Sequence, residues 1–124
     1  MHKEGEQIVK YFNQAFVYTS ENKDKWTILR EPPFWGDCED YALTILWNLS
    51  GQSWRKFWLN QLTGKAKLLV CKVHGISHVI LEYDGECIDN IKQEWTTKSQ
   101  LVAEGYRFRL IMPVVNTALN MVFR

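Results

Sequence analysis

His78-Val79-Ile80-Leu81-Glu82-Tyr83-Asp84-Gly85-Glu86-Cys87-Ile88-Asp89 contains two strand-like runs on either side of Asp84-Gly85. A two-residue turn of that composition needs positive φ at both positions and is a strong short-range hairpin signal. It fixes a register in which Tyr83 faces Glu86, Leu81 faces Ile88, Ile80 faces Asp89 and His78 faces Ile91. Because side chains alternate, His78 and Asp89 then share one face as diagonal neighbours, with Cβ atoms roughly 5 to 8 Å apart. Val79, Leu81 and Ile88 fall on the other face. Glu82 stands about 13 Å along the strand from His78 and Asp84 sits at the turn, so Asp89 is the carboxylate that can orient the imidazole.

Working outward, strand patterns cover 66–73, 78–83, 86–91 and 106–112; in the last, Tyr106, Phe108, Leu110 and Met112 alternate with Arg107 and Arg109. A short helix over 97–103, closed by Gly105, lies between the last two. Upstream, 4–18 reads as an amphipathic helix, 19–33 as an irregular connection ending in Pro32-Pro33, and the run from Cys38 to Ser50 as a second helix. Trp54, Phe57, Trp58 and Leu62 suggest a third helix behind Ser53, forming core or cleft wall rather than a membrane anchor. Helices followed by an antiparallel sheet predict an α+β fold, with residues 1–124 as one domain.

With 46% hydrophobic and 14% aromatic residues the chain reads as globular, not disordered. A formal net charge of +1 with interspersed signs gives no footprint for nucleic acid or an anionic membrane. Nothing near the N-terminus reads as a signal peptide, and Cys38, Cys71 and Cys87 are expected as free thiols in a reducing cytoplasm. The C-terminal run Val114, Val115, Leu119, Met121, Val122, Phe123 is too short to span a bilayer and is expected to pack on the domain or to make an oligomer contact.

The second decisive stretch is Trp35-Gly36-Asp37-Cys38-Glu39-Asp40-Tyr41-Ala42. Gly36 permits a sharp turn into the helix, and Asp37 is a good N-cap. Asp40 completes an acidic capping box, which puts Cys38 in the first turn at the head of the apolar stripe Tyr41, Ala42, Ile45, Leu46, Leu49. A thiol at a helix N-terminus, an imidazole and a carboxylate are the parts of a cysteine hydrolase: the dipole and base favour the thiolate, and the carboxylate fixes the tautomer. The anions of Asp37, Glu39 and Asp40 oppose this, since they raise a thiol pKa. Cys38 as a buried core thiol is the plain alternative. Zinc at Cys71, His74, His78 and Cys87 is disfavoured because alternation sends Cys71 and His74 to opposite faces; His74 is the reserve base and Asn90 the reserve orienter. The acids around Cys38 are caps more often than metal ligands.

These residues resemble the bacterial transglutaminase-like cysteine proteinases, within the wider transglutaminase-like superfamily. The likeness rests on Trp35 to Ala42 as nucleophile motif, on His78-Val79-Ile80-Leu81 and on Ile88-Asp89-Asn90. Asn13, Tyr18 and Asp24-Lys25-Trp26-Thr27 fall in the order of a weaker pattern. The resemblance implies a papain-like core with Cys38 as nucleophile, His78 as base and Asp89 as orienter. It further implies Asp37, Glu39 and Asp40 as candidate calcium ligands, as in calcium-dependent relatives, although the chemistry itself requires no cofactor. A cytoplasmic or phage-encoded minimal member is the expectation. The substrate would be a protein or peptide, cleaved at an amide or isopeptide bond through a thioester. The Cys38 amide would serve the oxyanion, Trp26 is a candidate second donor, and Trp26 and Trp35 are candidate cleft walls. An amine in place of water would make the enzyme a transglutaminase, and a catalytically silent binding domain is the rival from another class.

Overall fold

A computed structural model describes residues 3–18, 28 and 34–123. The fold is α+β, as the order of patterns predicts. Helix α1 (Lys3–Ala15) runs into a short strand β1 (Phe16–Tyr18), which pairs in parallel with β2 (Phe34–Gly36). Then come α2 (Cys38–Leu49), α3 (Trp54–Leu62), β3 (Ala66–Val73), β4 (Ile76–Tyr83), β5 (Glu86–Ile88), α4 (Lys98–Ala103), β6 (Tyr106–Ile111) and α5 (Val114–Phe123). The four longer-range strands form one antiparallel sheet in the order β5-β4-β3-β6. The first helix stops three residues short of the predicted span because Phe16-Val17-Tyr18, aromatic and β-branched, pair with β2 instead.

Two layers of side chains cover the sheet. Ala66, Leu68, Val79, Leu81, Tyr83 and Ile88 join a cluster with Val9 and Phe12 of α1, Phe57 of α3 and the buried residues of α2. On the opposite face Leu69, Cys71, Val73, Ile80 and Cys87 pack with Leu101 of α4 and with Tyr106. The sequence pattern predicts a single apolar stripe on α2, yet every residue from Asp40 to Trp47 is buried. The helix is central, with α1, α3, β2 and the sheet around it, so its polar positions, Asp40 and Thr44, are enclosed too.

The hairpin register is as read: Leu81 faces Ile88, Glu82 faces Cys87 and Tyr83 faces Glu86. Asp84 and Gly85 have φ of 52° and 87°, the pair of positive values that such a turn requires. The preceding hairpin turns the same way at His74 and Gly75, with φ of 51° and 80°, which lets β4 begin at Ile76, two residues earlier than predicted. β5 ends three residues earlier than predicted. Asp89 accepts the Lys92 N–H on Oδ1 at 2.7 Å and the Gln93 N–H on its carbonyl at 2.9 Å, so a local side-chain turn replaces the ladder. Ile91 therefore leaves the sheet and is exposed, and does not face His78. In β6 the alternation fails at a bulge: Leu110 faces Val70 but Phe108 faces Cys71, so Phe108 and Leu110 take opposite faces and Leu110 is exposed. The C-terminal run is a helix that leans Met121 on the core and leaves Val115, Leu119 and Val122 exposed. Among the described residues no helix is long and apolar enough to cross a membrane.

Candidate active site

Cys38 is the first residue of α2. Its position is set by the capping box, in which Asp37 accepts the Asp40 N–H at 3.2 Å and Asp40 accepts the Asp37 N–H at 3.5 Å. Two of the three acids considered for calcium thus serve the helix start. Glu39 serves the thiol: Cys38 Sγ donates to Glu39 Oε2 at 3.4 Å. Among the described residues no group of three or more His, Cys, Asp or Glu side chains is placed to hold a metal ion. Cys38 is half-buried, whereas Cys71 and Cys87 are fully buried. Burial, then the charge and hydrogen bond of Glu39 and the charge of Asp37, push the Cys38 thiol above its ordinary range, and only the nearby Val79 main-chain N–H opposes them.

His78 and Asp89 are brought together by the hairpin. The imidazole Nε2 lies 2.9 Å from Asp89 Oδ2, and both side chains are buried. Tyr106 adds a second donor, its hydroxyl bonding the same Oδ2 at 2.6 Å, with its ring edge-on to the imidazole. Burial alone would raise the Asp89 pKa. The hydrogen bonds from His78, Tyr106 and the Lys92 amide outweigh that and hold it below the usual carboxylate range. An ionised carboxylate only accepts, so Nε2 carries a ring proton, and in the neutral form of such a ring Nδ1 is the free base.

The thiol and the imidazole meet at neighbouring residues of β4, where β5 no longer pairs with it. Cys38 packs on the α2 side and meets the strand at the Val79 amide, one residue from His78, while the His78, Asp89 and Tyr106 group shares the α4 side with Cys71 and Ile80. No hydrogen bond joins Cys38 to His78 among the described residues. The other sequence candidates are accounted for in turn. Glu82 pairs with Lys67 at 3.7 Å. His74 is exposed in its turn. Asn90 Oδ1 has no partner and does not replace Asp89. Trp26 and the side chain of Trp35 lie outside the described residues.

Two residues with a part in the site escape a sequence reading. Tyr106 reaches Asp89 only because β6 pairs with β3, a non-local contact that no local pattern announces. Asn13 accepts the Tyr41 hydroxyl at 2.6 Å and donates to the Gln93 carbonyl at 2.8 Å, tying α1 and α2 to the turn that aims Asp89. The family-like order of Asn13 ahead of the nucleophile motif is the one signal that marks it. Comparison with models of known protein families and with curated proteins finds no match.

Proposed function

We propose that the chain is a cysteine hydrolase of the transglutaminase-like, papain-like kind, acting on a peptide or isopeptide amide bond. The observation that carries this reading is the buried hydrogen bond between His78 and Asp89, whose far ring nitrogen is left basic, next to the strand residue that the helix-start thiol touches. In the reaction His78 Nδ1 takes the Cys38 proton and the thiolate adds to the carbonyl. The imidazolium then returns the proton to the leaving amine, and water resolves the thioester. The Cys38 main-chain N–H at the start of α2 is the oxyanion donor that the local fold supplies. For this to proceed the thiol must leave Glu39 and turn toward His78; hydrogen bonds in unliganded sites commonly tighten only with substrate bound.

One observation favours the rival, a silent binding domain: the thiol is bonded to Glu39, not to His78, and burial with the Glu39 charge raises its pKa. Iodoacetamide kinetics on the folded chain separate the two. The hydrolase reading expects Cys38 to be alkylated ahead of Cys71 and Cys87. It also expects His78→Gln, which keeps a donor for Asp89 but no base, to slow that alkylation about tenfold or more. An unchanged rate in His78→Gln refutes the hydrolase.

A further inference from the structure

The cations of the sheet are unevenly served. Lys67 on β3 faces Glu82 on β4 and pairs with it. Lys65 and Lys98 lie over the rings of Tyr83 and Phe108. Lys72, on the same strand as Lys67, faces Ser77 on one side and Arg107 on the other. Like charges directly opposite one another destabilise a ladder, and here no carboxylate among the described residues pairs with either. Glu104, beside Gly105 at the start of β6, is committed to Lys92 at 2.8 Å and to Gln100 at 2.7 Å. Between the two cations the surface opens into a cavity of about 340 Å³ lined by Lys72, His74, Gly75, Gly105 and Arg107.

Its position links it to the site. Tyr106 and Val73 belong to the α4 face, so the neighbouring Lys72 and Arg107 project to the opposite face, that of the α2-side cluster against which Cys38 packs. Ser77 follows Val79 on that face, one step of about 7 Å along β4, and Lys72 stands one strand spacing of about 5 Å beyond. A chain bound in extended form at Cys38 and continuing over Ser77 would deliver a side chain into the basic cavity.

We propose that this cavity is a carboxylate-binding subsite, which makes the substrate an acidic polypeptide with Asp or Glu close to the bond attacked. The subsite role rests on the hydrolase reading; the carboxylate site itself does not. Lys72 and Arg107 supply charge-assisted donors, with Arg107 able to fork onto both carboxylate oxygens, and the bound anion relieves their mutual repulsion.

The test uses the full chain and two probes. In an amide NMR titration N-acetyl-glutamate amide should shift Lys72, Gly75 and Arg107 saturably, N-acetyl-glutamine amide should not, and Lys72→Met with Arg107→Met should abolish the response. The double variant should be no less stable than the parent, because it removes a repulsion. Absence of any saturable shift overturns the proposal, and tighter saturation by inorganic phosphate overturns it in favour of a phosphate site. Peptidyl vinyl sulfones with Glu or Gln next to the warhead then test the role. Glu probes should label Cys38 roughly tenfold faster, about the effect of one good ionic contact, and the double variant should lose the preference. Equal labelling overturns the acidic-substrate claim. Failure of every probe to label Cys38, with the titration intact, sinks the hydrolase reading and supports the carboxylate site alone.

Discussion

Asp89→Asn is the substitution whose outcome the network determines most closely. The carboxylate accepts three hydrogen bonds, from His78 Nε2 and the Tyr106 hydroxyl on Oδ2 and from the Lys92 amide on Oδ1. A carboxamide has one oxygen, and the Lys92 N–H cannot reverse its role, so the oxygen must take the Oδ1 position and the NH₂ must face His78 and Tyr106. Both of those groups can adapt. Tyr106 can accept through its hydroxyl, and the imidazole can move its proton from Nε2 to Nδ1. The fold therefore survives with the Lys92 N–H and both amide protons accepted, at the cost of the Tyr106 O–H bond, but the ring nitrogen left to receive the thiol's proton is already protonated.

Hydrogen bonds to an ion contribute about 1.5 to 3 kcal/mol and neutral ones about 0.5 to 1.5 kcal/mol, so weakening three of them costs roughly 3 to 4 kcal/mol. Relief of carboxylate burial offsets part of this, leaving a loss of about 1 to 3 kcal/mol in urea unfolding near neutral pH. The loss should shrink on acidification. The lowered Asp89 pKa contributes stability that is present above the unfolded carboxylate value and is lost as pH falls through the folded one, and the amide variant lacks that component. The decisive assay is nitrogen-15 NMR of the His78 ring, which should report Nε2–H in the parent and Nδ1–H in the variant. On the proposed hydrolase reading, turnover should drop by about four orders of magnitude, as a wrong histidine tautomer does in a serine-protease triad. A variant that keeps Nε2–H, or that unfolds outright, refutes the reasoning. Tyr106→Phe, which keeps the carboxylate, should keep Nε2–H and cost only about 1 to 2 kcal/mol.

Glu39→Gln removes the charge that the Cys38 thiol donates to, so iodoacetamide labelling of Cys38 should rise with pH at a lower midpoint than in the parent; an unmoved midpoint means that Glu39 does not hold the thiol proton. Calcium at millimolar concentration should leave the melting temperature unchanged if Asp37 and Asp40 serve only the capping box, whereas a rise would assign them to a metal ion, because a ligand of the native state alone stabilises it.

What the sequence discloses about this site is its local geometry. Asp84-Gly85 dictates a register, the register puts Asp89 beside His78, and Asp37 with Asp40 caps a helix that must start at Cys38; each step involves residues within a dozen positions of one another. Pairing of β6 with β3 joins segments more than thirty residues apart and has no such signal, which is why Tyr106, the second donor on Asp89, and the opposition of Lys72 and Arg107 become visible only in the fold. The same limit explains α2: periodicity marks the stripe that meets the sheet, while burial of the remaining sides depends on where α1 and α3 settle.

The two halves of the site are also of two kinds. His78 and Asp89 lie in a buried hydrogen-bonded group, open only at Nδ1, that is anchored by β4, β6 and the turn at Lys92, and such a group keeps its geometry at rest because leaving a member unpaired costs about 1 to 3 kcal/mol. Cys38 is held more lightly, by a contact of 3.4 Å to a neighbouring side chain on its own helix and by the Val79 main-chain N–H. Its χ1 rotation breaks little. If the chain is a hydrolase, the preorganised part is the base and its orienter, and the step that substrate must drive is the release of the thiol from Glu39 past the Val79 amide toward Nδ1. Activation would then appear as a substrate-dependent rise in Cys38 reactivity, with the His78 ring nitrogens unchanged in tautomer until the proton is transferred.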